Sequence, residues 1–379
     1  MRIGFFLRYP FHESIFRTTL AAVRTRHECL VTGDPRALTR FRPHVVVAAE
    51  DITYLHLRAH LPRSIFIHTR HGLASKGVPE RSFRAADYVC VTSEFVRYDF
   101  LRRGVRPRRG YWVLGYVQMD NLFVAERPAA LPPGRRVVLY APTWHEGLSS
   151  LPVLGDRIVD LLRGRHSDTM LVIKPHPLVQ QGARPSIAPW METLRHACRG
   201  RDDVILLEQR GLDVMPWLNA ADVLVSDASS VQLEFLALNR PIVLINNPAR
   251  LVSPHYDPSG YEWAWRDMGD AVDDIETLPT IIDRALANPH HGEADRARYR
   301  ERLFGSTADG HAGERLASHI DRLAPEVASE LELLALSPFG LTFARLLPHF
   351  RTLADTRRRW TQRFRPDPLT PAVALTSSK

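Results

Sequence analysis

The segment Asp222–Ile245, DVLVSDASSVQLEFLALNRPIVLI, constrains the fold more than any other part of the chain. Its apolar run Val223–Val225 ends in Ser226-Asp227-Ala228-Ser229-Ser230. A helical pattern carrying Val231, Leu233, Phe235, Leu236 and Leu238 follows at once and stops at Asn239, before Arg240-Pro241. A second apolar run, Ile242–Ile245, comes next. Strand, turn, helix and strand in that order form the repeating unit of a parallel sheet, whose neighbouring strands must be joined by a crossover. The turn offers small hydroxyl side chains and backbone N–H groups that have no partner inside the helix, which makes it a candidate phosphate cradle. Helix capping by Ser or Asp is the competing reading of the same residues.

The same grammar runs through most of the chain. Before residue 126 the candidate strands are Ile3–Leu7, Cys29–Thr32, Val45–Ala48, Ser64–His68, Tyr88–Thr92 and Trp112–Leu114. Helical stretches fall between them, among them Ile15–Arg24 and Glu94–Arg103, the latter opened by Ser93 and closed by Gly104. A Pro-rich stretch, Arg127-Pro128-Ala129-Ala130-Leu131-Pro132-Pro133-Gly134, interrupts the pattern and reads as a linker. Strands then resume at Val137–Tyr140, Leu171–Ile173, Val204–Leu207, Val223–Val225 and Ile242–Ile245. A chain of 379 residues is long for one core. The expectation is an α/β protein of two Rossmann-like, doubly wound domains facing a cleft, residues 1–126 and 136–325, with a helical basic tail over 326–379. Ligands of such sheets sit beyond the carboxyl ends of the strands. His71, Thr143, His176 and Ser229 all follow strand ends, so one cleft can collect them.

Bulk properties narrow the class. Apolar content of 45% and charged content of 24% are those of an ordinary globular chain, and no apolar run approaches the roughly 20 residues of a membrane span. The N-terminal MRIGFFLRYPFHES lacks a small-residue cleavage site and reads as a first strand, against secretion. Three cysteines, Cys29, Cys90 and Cys198, have no metal or redox spacing and suit a reducing cytoplasm. A net charge of +8 favours anionic partners such as nucleotides, phosphopolymers or anionic lipid. Nucleic acid is not expected, because the arginines are spread along the chain and no recognition motif accompanies them. Nothing in the sequence signals an oligomeric state.

Of 50 basic residues only three are lysines, Lys76, Lys174 and Lys379. The first two lie close to a histidine at a strand end, in HTRHGLASKG and IKPHP, where a compact charge on a flexible stem suits a phosphate. Read together with YAPTWHEG, VSDASSVQLEFLALNRPI and the later ADGHAGER, these segments resemble the CDP-glycerol glycerophosphotransferase family of bacterial wall and capsule polymer synthesis. The resemblance covers roughly residues 64–320 and rests on the ordered set, since no single motif is specific. It implies a glycosyltransferase-B-like fold and transfer of glycerol phosphate, or a related polyol phosphate, from a CDP-linked donor to a hydroxyl. The implied acceptor is a glycan or lipid-linked molecule of the cell envelope. Two departures stand out: Asp227-Ala228-Ser229-Ser230 has no aromatic residue before its serines, and Gly72 is not followed by Thr-Pro. Both bear on the donor's identity more than on its diphosphate.

The chemistry can be argued from the residues themselves. An attacking hydroxyl needs a base, and the nucleotide leaving group needs its growing charge neutralised. His71, between a strand and Gly72, is assigned as the base, and Gly72 lets a substrate approach the backbone. His176, held between Pro175 and Pro177, is assigned to the diphosphate or leaving phosphate. Lys174, Ser229, Ser230 and the Val231 N–H complete that diphosphate group. Lys76, Thr143, Trp144, Gln232, Glu234 and Asp309 are assigned to donor or acceptor hydroxyls, base or sugar. Structural readings compete at each: backbone-bonded histidines, a packed Trp144, a Glu234 that suits the helix dipole and a capping Asp309. No HExxH or clustered Asp-x-Asp is present, so neither a metal nor a cofactor is expected.

Two rival readings remain. A glycosyltransferase or UDP-sugar 2-epimerase relative would share the architecture, and Ser229-Ser230-Val231-Gln232-Leu233-Glu234 resembles the epimerase turn S-G-G-x-Q-x-E, with Gln232 and Glu234 in register and serines where the turn has glycines. A non-catalytic scaffold is the weaker rival, since both histidines are present. In the tail, Phe339, Leu341, Phe343, Leu346, Leu347 and Phe350 precede Arg351, Arg357, Arg358, Arg359, Trp360, Arg363, Phe364 and Arg365. That composition suits an anionic membrane interface and peripheral attachment to the inner face of the cell membrane. Its competitor is a terminal helix returning to pack on the N-terminal domain.

Overall fold

The computed structural model describes residues 1–7, 9, 14–50, 53–73, 80–164, 167–209 and 211–328. Lys76 and the tail segment 337–365 lie outside the described residues. The chain divides into two units, Met1–Asp321 and Arg322–Lys379, and the architecture below is that of the first.

Two six-stranded sheets form this unit, and all their strand pairings are parallel. The first holds β1 (Arg2–Phe6), β2 (Glu28–Thr32), β3 (Val45–Ala48), β4 (Ile65–His68), β5 (Tyr88–Val91) and β6 (Gly110–Val113), in the order β2-β1-β3-β4-β5-β6. The second holds β7 (Arg136–Tyr140), β8 (Thr169–Ile173), β9 (Val204–Leu206), β10 (Val223–Ser226), β11 (Ile242–Ile245) and β12 (Asp270–Val272), in the order β12-β11-β10-β7-β8-β9. Eleven of these strands are the expected ones. Asp270-Ala271-Val272 is the addition: three residues at a sheet edge, one of them charged, are too few to show a pattern.

The expected α/β, doubly wound architecture is therefore the observed one, and its cause is burial on both faces. Val45, Val46, Val47 and Ala48 of β3 are fully buried, as are Val137, Val138, Leu139 and Tyr140 of β7. Each buried Val or Leu among them contributes about 1.5–3 kcal/mol relative to exposure, which is why these strands carry no polar alternation. The strand order reverses direction between β1 and β3 in the first sheet and between β7 and β10 in the second. Crevices open beyond the carboxyl ends of the strands at such points.

One apolar cluster is continuous between the sheets. It joins Val89, Val91, Phe100 and Leu122 to Val137, Leu139, Leu233, Phe235 and Trp265. Polar ties reinforce it: the Tyr261 hydroxyl donates to Asp99 at 2.7 Å, Ser93 Oγ to the Arg302 carbonyl at 2.6 Å and Thr307 Oγ1 to the Thr92 carbonyl at 2.6 Å.

The helix Ala312–Asp321 returns to the first sheet and packs on the helix Arg17–Val23. Its free N-terminal N–H groups are taken by the buried Asp120 carboxylate, which accepts from Ala312 at 2.9 Å, from Gly313 at 2.7 Å and from Thr18 Oγ1 at 2.8 Å. A side chain at Gly313 would collide with Thr18 and Asp120, so only glycine lets the two helices approach this closely. The far end is tied by Asp321 to Arg26 at 2.8 Å and His27 at 2.6 Å. This helix precedes residue 326, and both readings of the tail fall on residues outside the described ones. Among the described residues no helix is long and apolar enough to cross a membrane.

Candidate active site

At the second sheet's switch point, β7 and β10 each end in a polar loop, and the Asp227 carboxylate binds the two loops together. Fully buried, it accepts from the Thr143 N–H at 2.8 Å, the Ser150 N–H at 2.7 Å, Ser150 Oγ at 2.8 Å and the Ala228 N–H at 2.6 Å. Burial pushes its pKa up and these hydrogen bonds oppose that rise. Ser226 Oγ adds a bond to the Ala141 carbonyl at 2.7 Å. With Asp227 and Ser226 committed, Ser229 and Ser230 close the turn. Ser230 precedes the helix Val231–Phe235 in helical backbone geometry and makes no side-chain capping bond. Ser230 therefore does not act as the side-chain cap of this helix. A 3-10 turn, Leu236–Leu238, extends the helix to Asn239, whose left-handed φ of 53° ends it.

The first sheet brings His71 to the same place. After β4 the chain turns through Arg70, a non-glycine residue at φ 66°, and this bend turns His71 out to an exposed position. The His71 ring lies with Nδ1 3.0 Å from the Ala49 carbonyl, just beyond β3. A carbonyl can only accept, so Nδ1 carries the proton and the lone pair of the neutral ring sits on Nε2. Gly72 then meets the second sheet: a Cβ there would lie 2.7 Å from Ser230 Oγ. Two motifs far apart in sequence touch, and a side chain at position 72 would force the Ser230 hydroxyl to move. His68, by contrast, is buried against Phe83 with ring centroids 4.9 Å apart, and its pKa is held well down by burial and by the nearby His71 and Arg70.

Beyond β8, His176 caps the short helix Pro177–Gln180, its Nδ1 accepting from the Leu178 N–H at 3.2 Å. An accepting Nδ1 is unprotonated, so the ring proton sits on Nε2. Lys174 is buried, donates from Nζ to the Pro175 carbonyl at 3.0 Å, and has its pKa lowered to about 8 by burial. Trp144 lies half-buried with its ring 6.1 Å from His176, stacked on His145 at 4.0 Å and covered by the Arg184 guanidinium at 4.8 Å. Thr143 is buried.

Two further expected residues lie under the turn. Gln232 is fully buried, and its Oε1 accepts from Arg266 at 3.3 Å. Glu234 is buried, and its pKa is raised to about 8 by burial first and by Asp213 second. Asp309 accepts from the His311 N–H at 3.1 Å and pairs with Arg315, so its carboxylate orders the turn before the returning helix. Among the described residues no group of three or more His, Cys, Asp or Glu is placed to hold a metal ion. Sequence reasoning missed Ser150, Asp120 and Arg266. Each acts through partners distant in the chain, and no local pattern marks them.

Known proteins fit this geometry. The chain spans about half the length of the curated relative it matches, the teichoic acid glycerol-phosphate primase of Bacillus spizizenii: 29% identity over 198 residues, 49% of this chain and 46% of the relative. In three dimensions it is similar to the wall teichoic acid polymerase TagF, with a TM-score of 0.62 at 14% identity over 87% of this chain and 90% of that one. A UDP-GlcNAc 2-epimerase from Neisseria meningitidis, solved with bound UDP-GlcNAc, gives 0.54 at 13% identity over 85% and 100% of the two chains. These structural likenesses show a shared two-domain α/β fold. The family profile described as CDP-Glycerol:Poly(glycerophosphate) glycerophosphotransferase matches residues 40–321. The chain belongs to the CDP-glycerol:poly(glycerophosphate) glycerophosphotransferase family.

Proposed function

We propose that this chain transfers glycerol phosphate from CDP-glycerol to a hydroxyl of a cell-envelope polymer or lipid-linked acceptor. The contact of Gly72 with Ser230 supports this reading best, because it sets the base-bearing loop beside the turn suited to the donor's diphosphate. The acceptor oxygen attacks the glycerol-bearing phosphorus, a new P–O bond forms, and the bond to the bridging oxygen breaks to release CMP. The hydroxyl proton passes to His71 Nε2. His176 Nε2–H donates to the phosphate oxygen that gains charge, alongside Ser229, Ser230 and the Val231 N–H, with Lys174 supplying positive charge behind the loop. Thr143, Trp144, Gln232, Glu234 and Asp309 surround or support the donor and acceptor sites in this reading, and no step is routed through a metal ion.

Incubation of the full chain with CDP-glycerol and acceptor should release CMP, whereas UDP-GlcNAc, GDP-linked and CMP-linked donors should release no nucleotide. UDP-GlcNAc turnover without transfer would favour the epimerase-like reading instead. The same proposal places the enzyme at an anionic membrane through residues 337–365, where six or more arginines at about 1 kcal/mol each suffice for attachment. Salt-sensitive flotation with anionic vesicles, lost on truncation near Pro325 while the protein stays folded, is the expected result. Equal flotation of both forms would overturn it.

A further inference from the structure

Arg266 lies behind the Asp227–Ser230 turn with its guanidinium surrounded by oxygen. Nη1 donates to the Asp227 carbonyl at 2.5 Å, to Gln232 Oε1 at 3.3 Å and to the Glu262 carbonyl at 3.4 Å. Nη2 donates to the Ile245 carbonyl at 3.0 Å and Nε to Asn246 Oδ1 at 3.1 Å. All five acceptors are neutral, so hydrogen bonds set the guanidinium's orientation, while the Asp227, Asp273 and Glu262 carboxylates act on its charge through space. Its burial lowers its pKa to about 10, still far above neutrality, and the charge persists. The Trp263 ring covers one face, 4.7 Å from Cζ.

The identity of the acceptors gives the arrangement its meaning. Asp227 follows β10, Ile245 ends β11, and Gln232 lies in the first turn of the helix that the serines precede. One rigid fork thus fixes the spacing of two strand ends and the helix between them. The Asp227 side chain fixes the same turn from the other side, against the Thr143–Ser150 loop. A planar guanidinium can serve divergent acceptors at once, which a lysine ammonium on a flexible stem cannot. Position 266 also joins the turn to the contact between the sheets. The adjacent Trp265 stacks on Tyr261 at 4.3 Å and lies 6.0 Å from Phe95 of the first sheet's helix Glu94–Arg102.

We propose that Arg266 is a positioning residue for the Ser229-Ser230 turn, holding it in the one geometry that receives a donor diphosphate. This rests on the reading of the turn as a diphosphate site. Arg266 does not itself touch the donor.

Calorimetric titration with CDP and steady-state assays with CDP-glycerol test this on the full chain. Arg266→Lys should weaken CDP binding at least about tenfold and Arg266→Gln further, the lysine recovering part of the loss. The defect should fall on donor KM more than on kcat and leave acceptor KM unchanged. Arg296→Lys is the control for loss of a buried guanidinium. Arg296 is 2% exposed and donates to the Asn239, Pro289 and His291 carbonyls away from the turn, so its variant should lose thermal stability but keep CDP affinity. Wild-type CDP affinity in a folded Arg266 variant overturns the proposal, as does equal loss in Arg296→Lys. If Arg266→Gln does not fold, Arg266→Lys carries the test. Amide exchange over residues 226–235 must then rise while that of β7 holds, and unchanged exchange overturns the proposal. Ser229→Ala/Ser230→Ala separates the two claims. If it weakens CDP binding while the Arg266 variants do not, only this inference falls; if it leaves CDP binding unchanged, the diphosphate reading falls and takes the inference with it.

Discussion

His71 and His176 stand at equivalent places, each just beyond the carboxyl end of a parallel strand, yet the backbone offers their rings opposite partners. His71 meets a carbonyl, that of Ala49, and His176 meets an N–H, that of Leu178. The first ring must carry its proton on Nδ1 and the second on Nε2. The Nε2 atom therefore holds a lone pair in one neutral ring and the proton in the other. An acyl- or phosphoryl-type transfer needs one group to remove a proton from the attacking hydroxyl and another to neutralise the leaving oxygen. Under the proposed function the same residue type would serve both needs, because a single backbone partner decides each tautomer.

The comparison can be broken by substitution. His71→Ala should lower kcat by about 10²–10⁴ while CDP affinity, measured by calorimetry, stays within about twofold. A large loss of CDP affinity in that variant would move His71 to the donor side. His176→Ala should lower kcat by about 10² and weaken CDP by about tenfold as well, since the proposed function gives its Nε2–H to the donor phosphate. Unchanged CDP binding there would remove the contrast between the rings. Ser229→Ala/Ser230→Ala should weaken CDP binding about tenfold with less effect on acceptor KM, because the proposed function assigns the turn to the donor diphosphate.

Glu234 sharpens the contrast, because its proton is held by burial rather than by a backbone partner. Its pKa rises from 4.5 to about 8, so between those values the folded chain binds a proton that the unfolded chain has lost. Stability from this group is full below pH 4.5 and declines as pH rises to about 8. Wild type should therefore lose more thermal stability between pH 5 and pH 8 than Glu234→Gln, by at least about 2 °C in Tm. Thermal melts across that range check it, and a wild type that gains on the variant with rising pH would show the sign to be wrong.

The strands were legible because burial on both faces leaves runs such as Val45–Ala48 and Ile242–Ile245 without a polar residue. The histidine and serine motifs were legible because each interrupts such a run at its carboxyl end. β12 was not, being three residues at an edge. Asp309 was assigned to a donor or acceptor contact with helix capping as the competing reading, because its place before a helix is visible locally. The structure turns its carboxylate to Arg315 and His311, and the bond that caps the helix comes from Asp120, 192 residues earlier in the chain.

The sequence by itself determined the alternation of strands and helices, the family, and which residue types stand at the strand ends. These are local properties, written in apolar runs and in the short motifs that end them. Only the tertiary structure decided which nitrogen of each histidine holds the proton, that Gly72 lies against Ser230, and that Arg266 ties the ends of β10 and β11. Each depends on a backbone carbonyl, an N–H or an approach between segments supplied from elsewhere in the fold. Side-chain identity is encoded residue by residue, but the partner that gives a polar group its chemistry is chosen by packing.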